Sequence, residues 1–121
     1  MKKIILIGVL LIMILCGCSN NKNEESTKID YTRAKTMLAN GAILLDVRTT
    51  QEYEEKHIEN AVLLSVDEIT KENAELIIPT KDTTVIVYCR SGNRSNQALN
   101  ILKNLGYTNI YDLGSINNWQ E

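Results

Sequence analysis

The stretch TTVIVYCRSGNRS, residues Thr83 to Ser95, decides how the chain is organised. Its first half, Thr83 to Cys89, is β-branched and apolar throughout, which predicts a buried strand. A helix is predicted from Ser95 to the stop at Gly106, because apolar residues recur at the i, i+3, i+4, i+7 spacing. These are Ala98, Ile101, Leu102 and Leu105. Strand, loop and helix in this order are typical of an α/β protein.

Helix-like and strand-like stretches also alternate along the preceding residues, from Ile29 onward. Helices are predicted from an Asp30 cap to Asn40, from Thr49 to His57 and from Val66 to Ile77. Strands are predicted at Ala42–Val47, Ala61–Ser65 and Asn109–Leu113. This alternation predicts a single α/β domain over residues 29–121, with a central, mainly parallel sheet flanked by helices on both faces.

The first residues have the pattern of a secretory signal, with two lysines, an apolar run from Ile4 to Leu15 and then small residues. Leu15 to Cys18 resembles the bacterial lipobox, in which the cysteine receives a lipid. We therefore expect residues 1–17 to be removed and Cys18 to be lipidated. An ordinary signal peptide and an uncleaved anchor are the alternatives. Residues 18–28 are predicted to form a polar tether, which would hold an extracytoplasmic domain at the surface of the bacterial cell membrane.

Composition excludes several functions for the processed chain. The net charge of the whole sequence is −2 and becomes more negative when Lys2 and Lys3 are lost, so no basic face for nucleic acid is expected. The sequence has no metal-ligand cluster, phosphate-binding loop or dinucleotide fingerprint, so we expect neither metal nor cofactor. Of the three cysteines, only Cys18 and Cys89 would remain after processing, which leaves Cys89 as a free thiol.

The position of Cys89 predicts a site for an anion. Loops at the carboxyl ends of parallel strands bind ligands, and the backbone N–H groups of such a loop, together with the next helix terminus, form a cup. Arg90 and Arg94 add positive charge, and Gly92 permits a tight backbone path. This setting favours the thiolate, which is the nucleophilic form of cysteine. The alternative is a small, inert, buried cysteine at the end of a strand.

The sequence CRSGNRS resembles the active-site loop of single-domain rhodanese-like sulfurtransferases. Leu44 to Ser65 resembles the Asp-Val-Arg strand of that family and the His-Ile segment after it. A third similarity is the closing segment, which is carried by Gly106-Tyr107, Asp112-Leu113-Gly114 and Trp119. Three residues depart from glycines that are usual in the family, and we expect these departures to affect loops away from the cysteine. They are Lys56, Asn60 and Ser115.

The resemblance implies transfer of sulfane sulfur from a small anionic donor such as thiosulfate to a thiol acceptor, or to cyanide in vitro, through a Cys89 persulfide. It implies a persulfide cradle formed by Arg90, Ser91, Gly92, Asn93, Arg94 and Ser95. We expect Arg90 to face the mouth of the cleft, whereas Arg94 either binds the donor or braces the loop. Asp46 and Arg48 would support the loop, or form only a partly exposed salt bridge. His57 is expected in packing, not as a base, and the domain is expected to act as a monomer.

Two other classes of function remain as alternatives. A cysteine phosphatase or arsenate reductase would need an arginine six residues after the cysteine, a position that Ser95 occupies here. Arg94 comes one residue too early, so the loop is too short to wrap a tetrahedral dianion. A non-enzymatic sulfur carrier, redox sensor or docking module is the other alternative, since a lone reactive thiol is open to oxidation.

Overall fold

The computed structural model describes residues 27–121, and a parallel sheet forms the centre of this part of the chain. Its strands are β1 (Ile43–Asp46), β2 (Val62–Leu63), β3 (Val85–Cys89) and β4 (Ile110–Ser115). They lie in the order β2-β1-β3-β4, and each neighbouring pair is parallel. The prediction of an α/β domain with a mainly parallel sheet is confirmed.

In residues 27–121, four α-helices connect and cover the strands: α1 (Tyr31–Ala39), α2 (Thr50–Glu55), α3 (Lys71–Ile77) and α4 (Asn93–Asn104). Short 3-10 turns lie at Val66–Glu68 and Ile116–Asn118. Side chains of Asp30, Thr49 and Thr70 accept a backbone N–H at the starts of α1, α2 and α3. Such caps satisfy N–H groups that the first helical turn leaves unpaired.

The core consists of two layers because successive side chains of each strand point to opposite faces of the sheet. One layer packs β3 residues Val85 and Val87 with residues of α3 and α4, such as Leu102. The other packs Ile86 and Tyr88 with Ala34 of α1 and with residues next to α2. Helices therefore cover both faces, as predicted, and β3 is fully buried.

Several predicted boundaries differ from the structure. The predicted helix from Val66 to Ile77 is divided into a 3-10 turn and α3, because Thr70 adopts an extended conformation and caps α3. Strand β2 is limited to Val62–Leu63. Helix α4 begins at Asn93, before the predicted start at Ser95, because Gly92 takes a left-handed conformation with φ of 105° and turns the chain directly into the helix.

A β-bulge adjusts the register between the two strands next to the site. Val87 is paired with Asp112, but the next residue, Tyr88, is paired with Gly114. The carboxylate of Asp112 accepts the N–H of Gly114 at 2.8 Å, and Gly114 has a φ of 83°. Bulges bend a strand and change the direction of the residues that follow. Here the bulge places Ser115 directly opposite Cys89.

The predicted signal sequence, Cys18 and most of the predicted tether lie outside the described residues. Within residues 27–121, no helix has both the length and the apolar character needed to span a membrane.

Candidate active site

Cys89 lies at the carboxyl end of β3, and its side chain belongs to the core layer on the α4 side of the sheet. The residue has no solvent exposure. The Gly92 N–H donates to Sγ at 3.0 Å, and the Ser95 N–H donates at 3.3 Å. Two backbone donors on one sulfur stabilise negative charge there, because their dipoles are already oriented. Cys89 is therefore a buried core residue whose sulfur accepts two backbone hydrogen bonds.

The turn over the sulfur is short, consisting of Arg90, Ser91 and Gly92. The predicted loop extended to Arg94, but Asn93 and Arg94 belong to the first turn of α4. The Ser95 hydroxyl donates to the Gly92 carbonyl at 3.1 Å, which fixes the turn against the helix. The amino end of α4 thus lies beside Sγ, where the helix dipole favours an anion.

The two arginines of the loop have different environments. Arg94 forms a bidentate ion pair with Glu52 of α2, with N–O distances of 2.7 and 3.1 Å. Hydrogen bonding from Arg94 lowers the pKa of Glu52 to about 2. The pair joins the first turn of α4 to α2. The pairing of Glu52 with Arg94 was not predicted from the sequence. The one signal for Glu52 is its place as the acidic residue in the first turn of α2.

Arg90 is exposed and lines a cleft of about 510 Å³. The same cleft is lined by residues that follow α2 and by the C-terminal segment, among them Lys56, His57 and Trp119. Within residues 27–121, Arg90 forms no salt bridge. An exposed guanidinium without an acidic partner can bind an incoming anion with two parallel hydrogen bonds.

Asp46 and Arg48 form a buried ion pair at 2.7 Å, with the residues 0% and 6% exposed. The Tyr88 hydroxyl donates to Asp46 at 2.6 Å and accepts the Ile58 N–H at 3.1 Å. Arg48 also donates to the Lys56 carbonyl at 2.6 Å. Burial, together with the bond to Asp46, raises the pKa of Tyr88.

Asp46 and Arg48 are both buried, so the partly exposed salt bridge considered from the sequence is wrong. Asp46 and Arg48 bond to Tyr88, the residue before Cys89, and to the segment after α2. In the described part of the chain, no hydrogen bond joins either side chain to the turn of residues 90–92. The hydrogen bond from Tyr88 to Asp46 is therefore what connects this pair to the end of β3.

The expectation that all three departures from the family pattern lie away from the cysteine is wrong for Ser115. Its hydroxyl donates to the Arg90 carbonyl at 2.7 Å, next to Cys89. Asn60 adopts a φ of 72°, a left-handed conformation that asparagine tolerates better than most residues. Lys56 has an extended backbone.

The remaining predicted residues have simple environments. His57 is exposed and stacks on Tyr53, with ring centroids 3.7 Å apart and Nδ1 2.7 Å from the Tyr53 carbonyl oxygen. Ser91 and Asn93 are exposed. No group of three or more potential metal ligands is found in residues 27–121.

A parallel α/β domain with a buried cysteine at a strand end, and with backbone N–H donors on its sulfur, is an arrangement suited to holding negative charge at that sulfur. Residues 30–121 match the model of the family described as "Rhodanese-like domain", and the chain belongs to that family. The predicted family and fold are confirmed.

Relatives of known name agree with this assignment. The chain is similar to thiosulfate sulfurtransferase PspE of Escherichia coli, with 36% identity over 72 residues, covering 60% of this chain and 68% of that protein. It is 31% identical over 109 residues to thiosulfate sulfurtransferase 18 of Arabidopsis thaliana, covering 79% of each. A solved structure described as "rhodanese with anions from E. coli" superposes with a TM-score of 0.61 at 33% identity. That match covers 64% of this chain and 91% of the other.

Proposed function

We propose that the protein is a sulfurtransferase that carries sulfane sulfur on Cys89, from a small anionic donor such as thiosulfate to a thiophilic acceptor. The names of the relatives support the transferase class. The observation that carries the proposal is the pair of backbone N–H groups of Gly92 and Ser95 on Sγ, at 3.0 and 3.3 Å.

The reaction has two displacement steps. In the first, the Cys89 thiolate attacks the outer sulfur of thiosulfate, the S–S bond of the donor breaks, and sulfite leaves with the bonding electron pair. In the second, an acceptor thiolate or cyanide attacks the outer sulfur of the persulfide, which yields an acceptor persulfide or thiocyanate and restores the Cys89 thiolate. Neither step requires an added oxidant, metal or cofactor.

The Cys89 thiolate that attacks the donor is an anion, and the cup supplies what it needs. The amino end of α4 lies beside Sγ and two N–H groups already donate to that sulfur, so they stabilise the charge of the thiolate without reorganising. Because Arg94 is held by Glu52, it keeps the start of α4 in place instead of approaching the donor.

Arg90 is proposed to bind the sulfonate end of the donor at the mouth of the cleft. We expect Arg90→Gln to raise the KM for thiosulfate about tenfold, because one charge-assisted hydrogen bond is worth roughly that factor, with a smaller change in kcat. Arg33→Gln is the matched control, since Arg33 is another exposed arginine and lies on α1. An equal KM for the wild type and Arg90→Gln would reject this role.

The test of the reaction is thiosulfate:cyanide sulfurtransfer by the full-length protein in mild detergent, measured beside Cys89→Ser. The wild type is expected to form thiocyanate and Cys89→Ser to form none above the uncatalysed rate. Aryl phosphate and arsenate assayed in parallel address the phosphatase and reductase alternative. Turnover of either of these, without any thiocyanate, would overturn the proposal. A wild type that loads sulfur but never releases it would indicate a carrier instead.

We also propose that the domain is anchored outside the cytoplasm by a lipid on Cys18, since the Leu15–Cys18 sequence matches the lipobox and the polar residues after it can serve as a tether. The measurement is metabolic labelling with a fatty acid. Labelling of the wild type and its loss in Cys18→Ala are expected. Labelling that persists in Cys18→Ala would reject the anchor.

A further inference from the structure

Ser115 connects the end of β4 to the turn that covers the nucleophile. It is paired with Cys89 in the register of β3 and β4, and its hydroxyl donates to the Arg90 carbonyl at 2.7 Å. The same hydroxyl oxygen accepts the Asn117 N–H at 3.0 Å. A hydroxyl has a single proton, so with Asn117 donating to its oxygen, that proton is committed to Arg90.

The bulge in β4 makes this contact possible. Asp112 accepts the N–H of Gly114, and Gly114 takes a left-handed conformation that shifts the register by one residue. Without that shift, Tyr88 would pair with Leu113 and Cys89 with Gly114, so Ser115 would not lie opposite Cys89. A polar hydroxyl is thereby placed at the turn that follows the buried end of β3.

The contact also has a consequence for the turn itself. In a planar trans peptide the C=O of one residue and the N–H of the next point in opposite directions. Because Ser115 fixes the direction of the Arg90 C=O, it also fixes the direction of the Ser91 N–H. The peptide between Arg90 and Ser91 adjoins Gly92, whose N–H already donates to Sγ at 3.0 Å.

We propose that Ser115 is a positioning residue for the sulfur-transfer reaction, and that its bond to the Arg90 carbonyl holds the Ser91 N–H towards the outer sulfur of the persulfide. Gly92 and Ser95 donate to Sγ itself, so a group that contacts the added sulfur must come from elsewhere in the turn. This role rests on the proposed function of Cys89, but the direction of the turn can be measured without it.

The kinetic test is single-turnover persulfidation of Cys89 by thiosulfate in the full-length protein, followed by mass spectrometry. Ser115→Ala is expected to lower the maximal rate about tenfold or more, as for loss of a donor to a developing anion, with little change in the half-saturating thiosulfate concentration. Ser115→Thr keeps the hydroxyl and should recover the rate. Asn118→Ala is the matched control, because it removes a hydrogen bond to the Leu113 carbonyl in the same segment without touching Arg90.

The second test is hydrogen exchange of the Gly92 amide, which can be measured without any sulfur transfer. We expect faster exchange in Ser115→Ala than in the wild type, Ser115→Thr or Asn118→Ala. The backbone of Ser115 has φ of −80° and ψ of 141°, which alanine adopts without strain, so Ser115→Ala should fold.

The outcomes separate the positioning role of Ser115 from the proposed function of Cys89. Wild-type persulfidation and unchanged Gly92 exchange in Ser115→Ala would overturn the role of Ser115. A slow Ser115→Ala variant that Ser115→Thr fails to rescue would overturn it as well. If the wild type forms no persulfide, the proposed function fails, and the exchange measurement still decides whether Ser115 holds the turn: unchanged exchange rejects that and faster exchange supports it.

Discussion

The ion pair between Glu52 and Arg94 makes the stability of the domain depend on pH in a calculable way. The pKa of Glu52 falls from its ordinary value of 4.5 to about 2, chiefly because Arg94 hydrogen-bonds to its carboxylate. A difference of this size corresponds to about 3 kcal/mol. The Arg94 and Glu52 side chains are 30% and 22% exposed, so screening by solvent reduces the contribution to about 1–2 kcal/mol.

The sign follows from linkage. A carboxyl group whose pKa is lower in the folded state stabilises the fold above its unfolded pKa, and this contribution disappears as protons bind. The contribution of Glu52 is therefore complete above about pH 5 and is lost as the pH falls from about 4.5 to about 2. Glu52→Gln should destabilise the domain by about 1–2 kcal/mol at pH 7 and by much less at pH 2.5.

The assay is urea unfolding of the chain from Ser19 onward, followed by the fluorescence of Trp119, the single tryptophan. Glu54→Gln is the matched control, because Glu54 is an exposed residue of the same helix and forms no salt bridge within residues 27–121. The reasoning is refuted if Glu52→Gln costs the same at pH 7 and pH 2.5, or if Glu54→Gln costs as much.

Three further substitutions test other parts of the structure by urea unfolding. Tyr107→Phe should leave stability unchanged or raise it by up to about 1 kcal/mol, because the buried hydroxyl has no hydrogen-bond partner among the described residues; a clear loss would contradict this. Tyr88→Phe should cost about 1–3 kcal/mol, since Asp46 and Ile58 each lose a buried bond; a neutral result would count against the network. Gly92→Ala should cost about 1–3 kcal/mol, because φ is 105° while no heavy atom beyond the adjacent residues lies closer than 3.9 Å to the added Cβ; an unchanged midpoint would show that the turn is unstrained.

Much of the fold could be predicted from the sequence because its signals are local. The apolar run before Cys89 forms a strand buried on both faces, and the residues at the helical spacing after it pack against the core, two of them, Ile101 and Leu105, only partly buried. Cys89 itself was identified by its position after that strand. Boundaries were less accurate where a single residue decided them, as with Gly92 at the start of α4 and Thr70 before α3.

The parts of the site that were not predicted depend on contacts between distant segments. The Glu52–Arg94 pair joins residues from two helices, and no spacing in the sequence relates them. Ser115 reaches Arg90 only because a bulge shifts β4 by one residue, which the pattern of apolar residues does not show. From the sequence, Tyr88 is expected only as another apolar residue of the strand, and the hydrogen bond from its hydroxyl to Asp46 is visible only in the structure.

The central claim is that Cys89 itself takes up the transferred sulfur, and the mass of the protein after the first displacement step tests it most directly. Treatment with thiosulfate, without an acceptor, should add about 32 Da to the peptide containing Cys89 and release one sulfite per added sulfur. Cyanide should then remove that mass and form an equal amount of thiocyanate. Two results would contradict the account. The wild type would form thiocyanate without ever carrying the added sulfur, or the Cys89→Ser variant would carry the added sulfur as well as the wild type does.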